Sequence, residues 1–217
     1  MLNTLLRVLP FAIGATISPT GLLFVMMILS GKDNPRKKAL SFVSGATLFL
    51  AVLGIFIFLT YKPVATASGH PEALSDAVNI FLGLLLAAIV VKSVFFKKKA
   101  APDGAKKHHR PYLVIGFVYM FINISTWIPF IVAMKIIASE KIGPWDSFPL
   151  VLIVIAITML LVALPVVVTY SMPKKSERIL GPINTFMSKY GTRIADVYFT
   201  LMAIFLIFIG VRGLLSL

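Results

Sequence analysis

Residues 8–30 read VLPFAIGATISPTGLLFVMMILS, and residues 112–138 read YLVIGFVYMFINISTWIPFIVAMKIIA. Each run is apolar and long enough to cross about 30 Å of hydrocarbon as a helix. Each is also interrupted near its middle by small, hydroxylated or helix-breaking residues. In the first these are Gly14-Ala15-Thr16-Ile17-Ser18-Pro19-Thr20-Gly21, and in the second Asn123-Ile124-Ser125-Thr126-Trp127-Ile128-Pro129. Pro19 has no amide hydrogen to donate and its ring crowds the carbonyl of Ala15. The first run is therefore expected to bend and to leave a backbone oxygen in need of a partner.

Four further apolar runs lie at 39–61, 74–96, 148–170 and 194–214. Together the six predict an all-α integral membrane protein with six transmembrane helices. Composition agrees, since 59% of the 217 residues are hydrophobic and 13% charged, against about 45–50% and 25% in soluble domains. The run after Arg7 is longer than the apolar region of a signal peptide and no clear cleavage site follows it, so it is expected to be retained as the first span.

Charge orients these spans. Lys32, Arg36, Lys37 and Lys38 occupy the first loop. Lys97, Lys98, Lys99, Lys106, Lys107 and Arg110 occupy the third, and Lys174, Lys175, Arg178, Lys189 and Arg193 the fifth. The second and fourth loops carry only Lys62 and Lys141 as cations, beside Glu72, Asp76, Glu140 and Asp146. Basic loops stay in the cytoplasm, so both termini are expected outside. The third loop, KKKAAPDGAKKHHR, reads as a flexible basic linker at 97–111 between two halves, 1–96 and 112–217. Three spans is an odd number, so the halves enter the bilayer from opposite sides and form two inverted three-helix repeats.

In that arrangement the two interrupted segments run antiparallel at similar depth. Broken helices at matching positions of inverted halves point to a transporter's midplane site. The candidate lining is Thr16, Ser18, Pro19, Thr20, Asn123, Ser125, Thr126 and Trp127, with Asn123 foremost because a buried amide has four hydrogen-bonding positions to satisfy. Each segment also has a purely structural reading, in which Pro and Gly are tolerated and Ser/Thr bond their own i−4 carbonyls.

Other polar residues signal less. Asn79 and Thr158 read as packing or as further cavity lining. Lys92, Lys135 and Arg212 sit near span ends, where long side chains reach the interface. Asp196 begins the sixth span, three residues after Arg193, and reads as a local ion pair or helix-start charge, with a proton-coupling role as the competing reading. Ile179, Ile183, Phe186, Met187 and Tyr190 recur at helical spacing among the cations of the fifth loop, which predicts a short amphipathic helix lying in the cytoplasmic interface.

Several chemistries are excluded or disfavoured. Cysteine is absent, which removes thiol catalysis, a thiol electron relay and disulfides. His108 and His109 adjoin in a cationic loop without carboxylate or thiolate neighbours, so they read as solvated charge and no metal or other cofactor is expected. No Asp or Glu lies near a span centre, no phosphate-binding loop occurs, and nothing suggests an enzyme. The net charge of +13 records loop orientation rather than nucleic-acid binding.

The stretch AIGATISPTGLLFVMMIL, with its following basic loop and ALSFVSGATLFL, resembles the start of the LysE-type transporter superfamily. NIFLGLLLAAIVVK, FINISTWIPFIVAM and MPKKSERILGPINTFMSKYGTRIADVYFTLMAIFLIFIGVRGLL extend the resemblance over nearly the whole chain, most closely to the GAP family of peptidoglycolipid or sulfolipid addressing proteins. The Ser-Pro of that family's first helix falls on Ser18-Pro19. Its fourth-helix Asn-Pro falls on Asn123-Ile124, without the second proline, leaving Pro129 as the later breaker. The resemblance implies export of a small polar or amphipathic solute or lipid across a prokaryotic plasma membrane, and is compatible with a homo-oligomer. Hydroxyls and an amide, with no fixed countercharge, suit a zwitterionic or polar headgroup. The competing expectation is a non-transporting scaffold or assembly factor for surface-lipid handling.

Overall fold

The computed structural model describes residues 2–67, 71–95, 111–140 and 144–216. Of these, 92% are helical and none is in a strand. The order is α1 (Leu2–Thr16), α2 (Pro19–Leu29), α3 (Pro35–Ala67), α4 (Pro71–Phe95), α5 (Tyr112–Ile122), α6 (Ile124–Ser139), α7 (Pro144–Ser171) and α8 (Ser176–Leu215). Helices α3, α4, α7 and α8 are each long and apolar enough to cross a membrane. The pairs α1–α2 and α5–α6 meet that test jointly, bent by 52° and 75°. The chain is thus an all-helical membrane protein with four to six candidate spans. The linker, with His108 and His109, lies almost wholly outside the described residues, as does Lys141.

Both bends fall where the sequence is polar, although not by the expected mechanism. Pro19 does not kink a continuous helix. The first helix ends at Thr16, and Pro19 opens α2, where a missing amide hydrogen costs nothing. The second break falls at Asn123, with φ −81° and ψ 67°, rather than at Pro129, which lies inside α6. Asn123 both ends α5 and starts α6: its amide bonds the Tyr119 and Met120 carbonyls, and its own carbonyl accepts from Thr126. With the break there, Pro129 withholds a bond only from the first turns of α6.

The chain divides into two compact units, each discontinuous in sequence. The first comprises 1–62 and 111–195. Its α6 is its most enclosed element, with Thr126, Ile128, Pro129, Phe130, Val132, Ala133, Met134, Lys135, Ile137 and Ala138 all buried. It packs chiefly on α1 and α7. A second apolar cluster joins α2, α3 and α7 through Val25, Ile28, Ala39, Phe42, Val43, Val162 and Val166. Helices α3 and α5 touch backbone to backbone. A Cβ at Gly45 would collide with the Leu113 carbonyl, and one at Gly116 with the Phe42 carbonyl. Lipid tails are as apolar as leucine, so such close packing, rather than escape from water, holds membrane helices together.

The second unit comprises 63–110 and 196–217. Here α4 meets the end of α8 at glycines: a Cβ at Gly83 would sit 2.7 Å from Ile207, and one at Gly210 2.6 Å from the Asp76 carbonyl. Asp196 does not begin a helix. It lies at the centre of the 40-residue α8 and accepts a hydrogen bond from Ser93 Oγ at 3.1 Å. The predicted interfacial helix at 177–190 is helical but not separate, because no proline follows Pro182 and nothing stops α8 before Leu215.

Candidate functional site

Within the first unit the two breaks meet through side chains. Asn123 Nδ2 donates to Ser18 Oγ at 2.9 Å, which ties the start of α6 to the start of α2. The same nitrogen faces Thr126 Oγ1 at 2.9 Å and Tyr119 Oη at 3.2 Å. Two amide hydrogens serve three oxygens, so one hydrogen is shared. Asn123 Oδ1 accepts from Ser125 Oγ at 2.9 Å, which engages both ends of the amide. Hydroxyl contacts extend the network from Tyr119 to Ser18 at 3.3 Å and to Thr20 at 3.0 Å. Ser18 and Thr126 are buried, whereas Thr20 is exposed.

Five of the eight expected residues, Ser18, Thr20, Asn123, Ser125 and Thr126, therefore share one polar cluster. Thr16 is turned elsewhere: its hydroxyl serves the Ala12 carbonyl at 3.0 Å and the Ile157 carbonyl at 2.6 Å, which joins the end of α1 to α7. Trp127 Nε1 donates to the Phe121 carbonyl at 3.2 Å, capping the last turn of α5 across the break. Pro19 contributes its ring rather than a polar contact, and a Cβ at Gly191 of α8 would lie 2.8 Å from it. Thr158 is fully buried on α7 and its hydroxyl finds no partner among the described residues.

Tyr119 is the residue that sequence reasoning missed. Its hydroxyl touches three members of the cluster, while its ring stacks on Phe24 at 5.8 Å and tilts against Phe42 at 5.3 Å. Gly21 leaves room for it, since a Cβ there would sit 3.1 Å from the Tyr119 oxygen. A tyrosine in an apolar run reads as core or interface. The available signal was its position four residues before Asn123, on the same helical face.

Lys135 departs from expectation as well. Lys92 and Arg212 are exposed, consistent with side chains that reach out of the span, but Lys135 is only 5% exposed. Helix α6 turns it into the protein because α1 and α7 cover that face.

Residues 8–212 match the family described as Sap, sulfolipid-1-addressing protein. The chain belongs to that family. The match takes in both breaks and every residue of the polar cluster. No curated protein and no solved structure matches the chain.

Proposed function

We propose that the protein is a secondary transporter of the LysE/GAP type that exports a small polar or amphipathic solute, with surface lipid as the cargo class its family name suggests. In this reading six spans form two inverted three-helix repeats in a prokaryotic plasma membrane, with both termini outside. Thr16, Ser18, Pro19, Thr20, Asn123, Ser125, Thr126 and Trp127, together with Tyr119, line or gate the path.

The observation that carries the reading is the Asn123–Ser18 hydrogen bond, which brings two helix breaks on antiparallel segments to one place. Half-helix ends expose backbone groups that a regular helix would consume, and discontinuous helices supply transporter sites in this way. The cluster holds hydroxyls and one amide, so it recognises cargo by hydrogen bonding; catalysis plays no part in the reading. Purified protein in liposomes, screened with labelled polar solutes and lipid-headgroup analogues, tests it. Uptake or release that falls in Asn123→Leu supports transport, and no movement of any probe above empty liposomes counts against it.

A second reading has its own support. The polar groups of the cluster satisfy one another, as they would in a scaffold whose polar residues glue helices together. A scaffold tolerates Asn123→Leu with lowered stability and unchanged surface-lipid output; a carrier does not.

A further inference from the structure

Two buried side-chain atoms find no hydrogen-bond partner among the described residues, Thr158 Oγ1 and Asn184 Oδ1. Asn184 is half-buried on α8, whereas Thr158 is fully enclosed on α7. Threonines in membrane helices ordinarily bond the carbonyl four residues back. Thr16, Thr47, Thr60, Thr169, Thr185 and Thr200 all do so here, at 2.6–3.0 Å. Thr158 makes no such bond to Val154, and its hydroxyl stays unused inside the protein.

The neighbours of Thr158 place it at the break between α1 and α2. The carbonyl of Ile157, the residue before it, accepts from Thr16 Oγ1 at 2.6 Å, at the end of α1. Val162, one turn further along the same face of α7, packs at Gly21 in the first turn of α2. A Cβ at Gly21 would lie 2.9 Å from Val162 Cγ2, 3.0 Å from Ser18 Oγ and 3.1 Å from Tyr119 Oη. Thr158 therefore stands about one helical turn from the polar cluster, on the wall that faces the break.

What gathers at that place is mostly hydrogen-bond donors. Helices α2 and α6 both begin at the Ser18–Asn123 contact, and neither Ser18 nor Asn123 caps its own helix with its side chain. The first backbone bonds of these helices run from Leu22 to the Ser18 carbonyl and from Thr126 to the Asn123 carbonyl. The amides of Thr20, Gly21, Ile124 and Ser125 precede or flank them and have no partner among the described residues. Polar residues that only glue helices are paired, as Ser18, Asn123 and Thr126 are. An enclosed hydroxyl left unpaired weakens packing, so its presence is explained by a partner from outside the chain.

We propose that Thr158 is a cargo-binding residue, its hydroxyl donating to an acceptor oxygen of a phosphodiester-bearing lipid headgroup, with the free amides of the two half-helices as further donors. The inference rests on the transporter reading and adds to it a contact on α7. The cluster has donors but no charged side chain. That suits a head whose acceptor oxygens bring their own countercharge, as a zwitterionic phosphodiester does.

Radiolabelled glycerophosphocholine, the water-soluble form of such a head, is the probe. Its binding to purified protein is read beside the probe-free melting temperature and uptake into liposomes. The native protein should bind it, and Thr158→Val should bind about three- to tenfold more weakly, the worth of one hydrogen bond. The same variant removes an unpaired buried hydroxyl at nearly equal volume, so its probe-free melting temperature should hold or rise. Thr158→Ser keeps the hydroxyl and should bind close to native. Thr169→Val on the same helix, whose hydroxyl is already bonded to the Pro165 carbonyl, should leave binding unchanged. No binding by the native protein, native-like binding by Thr158→Val, an equal loss in Thr169→Val, or a lowered probe-free melting temperature in Thr158→Val overturns the assignment. Uptake is judged apart: binding lost in Thr158→Val from a protein that moves no probe supports the binding residue and counts against the carrier.

Discussion

Asn123 does at one position what the sequence pattern spreads over two breaker motifs. It ends one helix, starts the next, and reaches across to Ser18. Asn123→Leu keeps approximate volume but leaves Ser18 Oγ, Ser125 Oγ and Thr126 Oγ1 without the amide, at a cost of roughly 1–3 kcal/mol. Thermal unfolding in detergent should register that loss. If the cost falls on the cargo-bound state, transport drops about tenfold, because 1.4 kcal/mol is a factor of ten. Tyr119→Phe keeps the ring against Phe24 and Phe42 and removes only the hydroxyl. It should cost about 1 kcal/mol in stability, with the bend between α5 and α6 unchanged, checked by the melting temperature and by spin-label distances across the break. That Asn123, Ser18 and Thr126 would find hydrogen-bond partners was legible because amides and hydroxyls within apolar runs must be satisfied. The part of Tyr119 was not, because its ring satisfies the apolar pattern and conceals its polar end. Thr16 and Trp127 were legible as polar, but their targets, the Ile157 and Phe121 carbonyls, are set by tertiary packing and by the break itself.

The elements follow the apolar pattern closely, with departures where one residue overrides it. The expected spans correspond to α3, α4, α7, the end of α8 and the two bent pairs, because about 20 apolar residues have little choice of conformation in lipid. The location of the second bend was not legible, since Pro129 is the stronger breaker on paper and Asn123 supplies the caps. Nor was the continuity of α8. Leu180, Gly191 and Ala195 form its buried stripe, with Asn184 and Met187 half-buried between them, while Phe186 and Tyr190 lie exposed with their rings 5.4 Å apart. A helix of 40 residues is about 60 Å long, twice the hydrocarbon thickness. Spin labels along 177–195 should therefore show one unbroken helical period, with the most restricted positions at Leu180, Asn184, Met187 and Gly191. A phase break near 190 would restore a separate interfacial helix. The contact of α3 with α5 gives a second test at this scale. Gly116→Leu forces a side chain into the Phe42 backbone and should lower the melting temperature by more than the usual overpacking cost of about 1–3 kcal/mol, whereas Gly181→Leu, with open space around it, should change little.

At the scale of the whole molecule, orientation rests on the sequence alone. Lysine and arginine crowd the odd loops, and in short loops that bias decides which side remains in the cytoplasm. With no native cysteine, Asp33→Cys in the first loop and Trp145→Cys at the start of α7 give a direct comparison. The second should react with a membrane-impermeant maleimide on intact cells and the first only after permeabilisation; the reverse pattern would invert the topology.

That the two breaks act as one site is tested most directly by a double-mutant cycle of Ser18→Ala and Asn123→Leu, read on transport in liposomes and on melting temperature together. Residues that share a site couple by about 0.5 kcal/mol or more. The double mutant should transport little worse than the poorer single mutant, with the coupling visible in the rate. Strictly additive losses in rate, or normal transport with only a lowered melting temperature, would contradict the account and leave Ser18 and Asn123 as residues that pack helices.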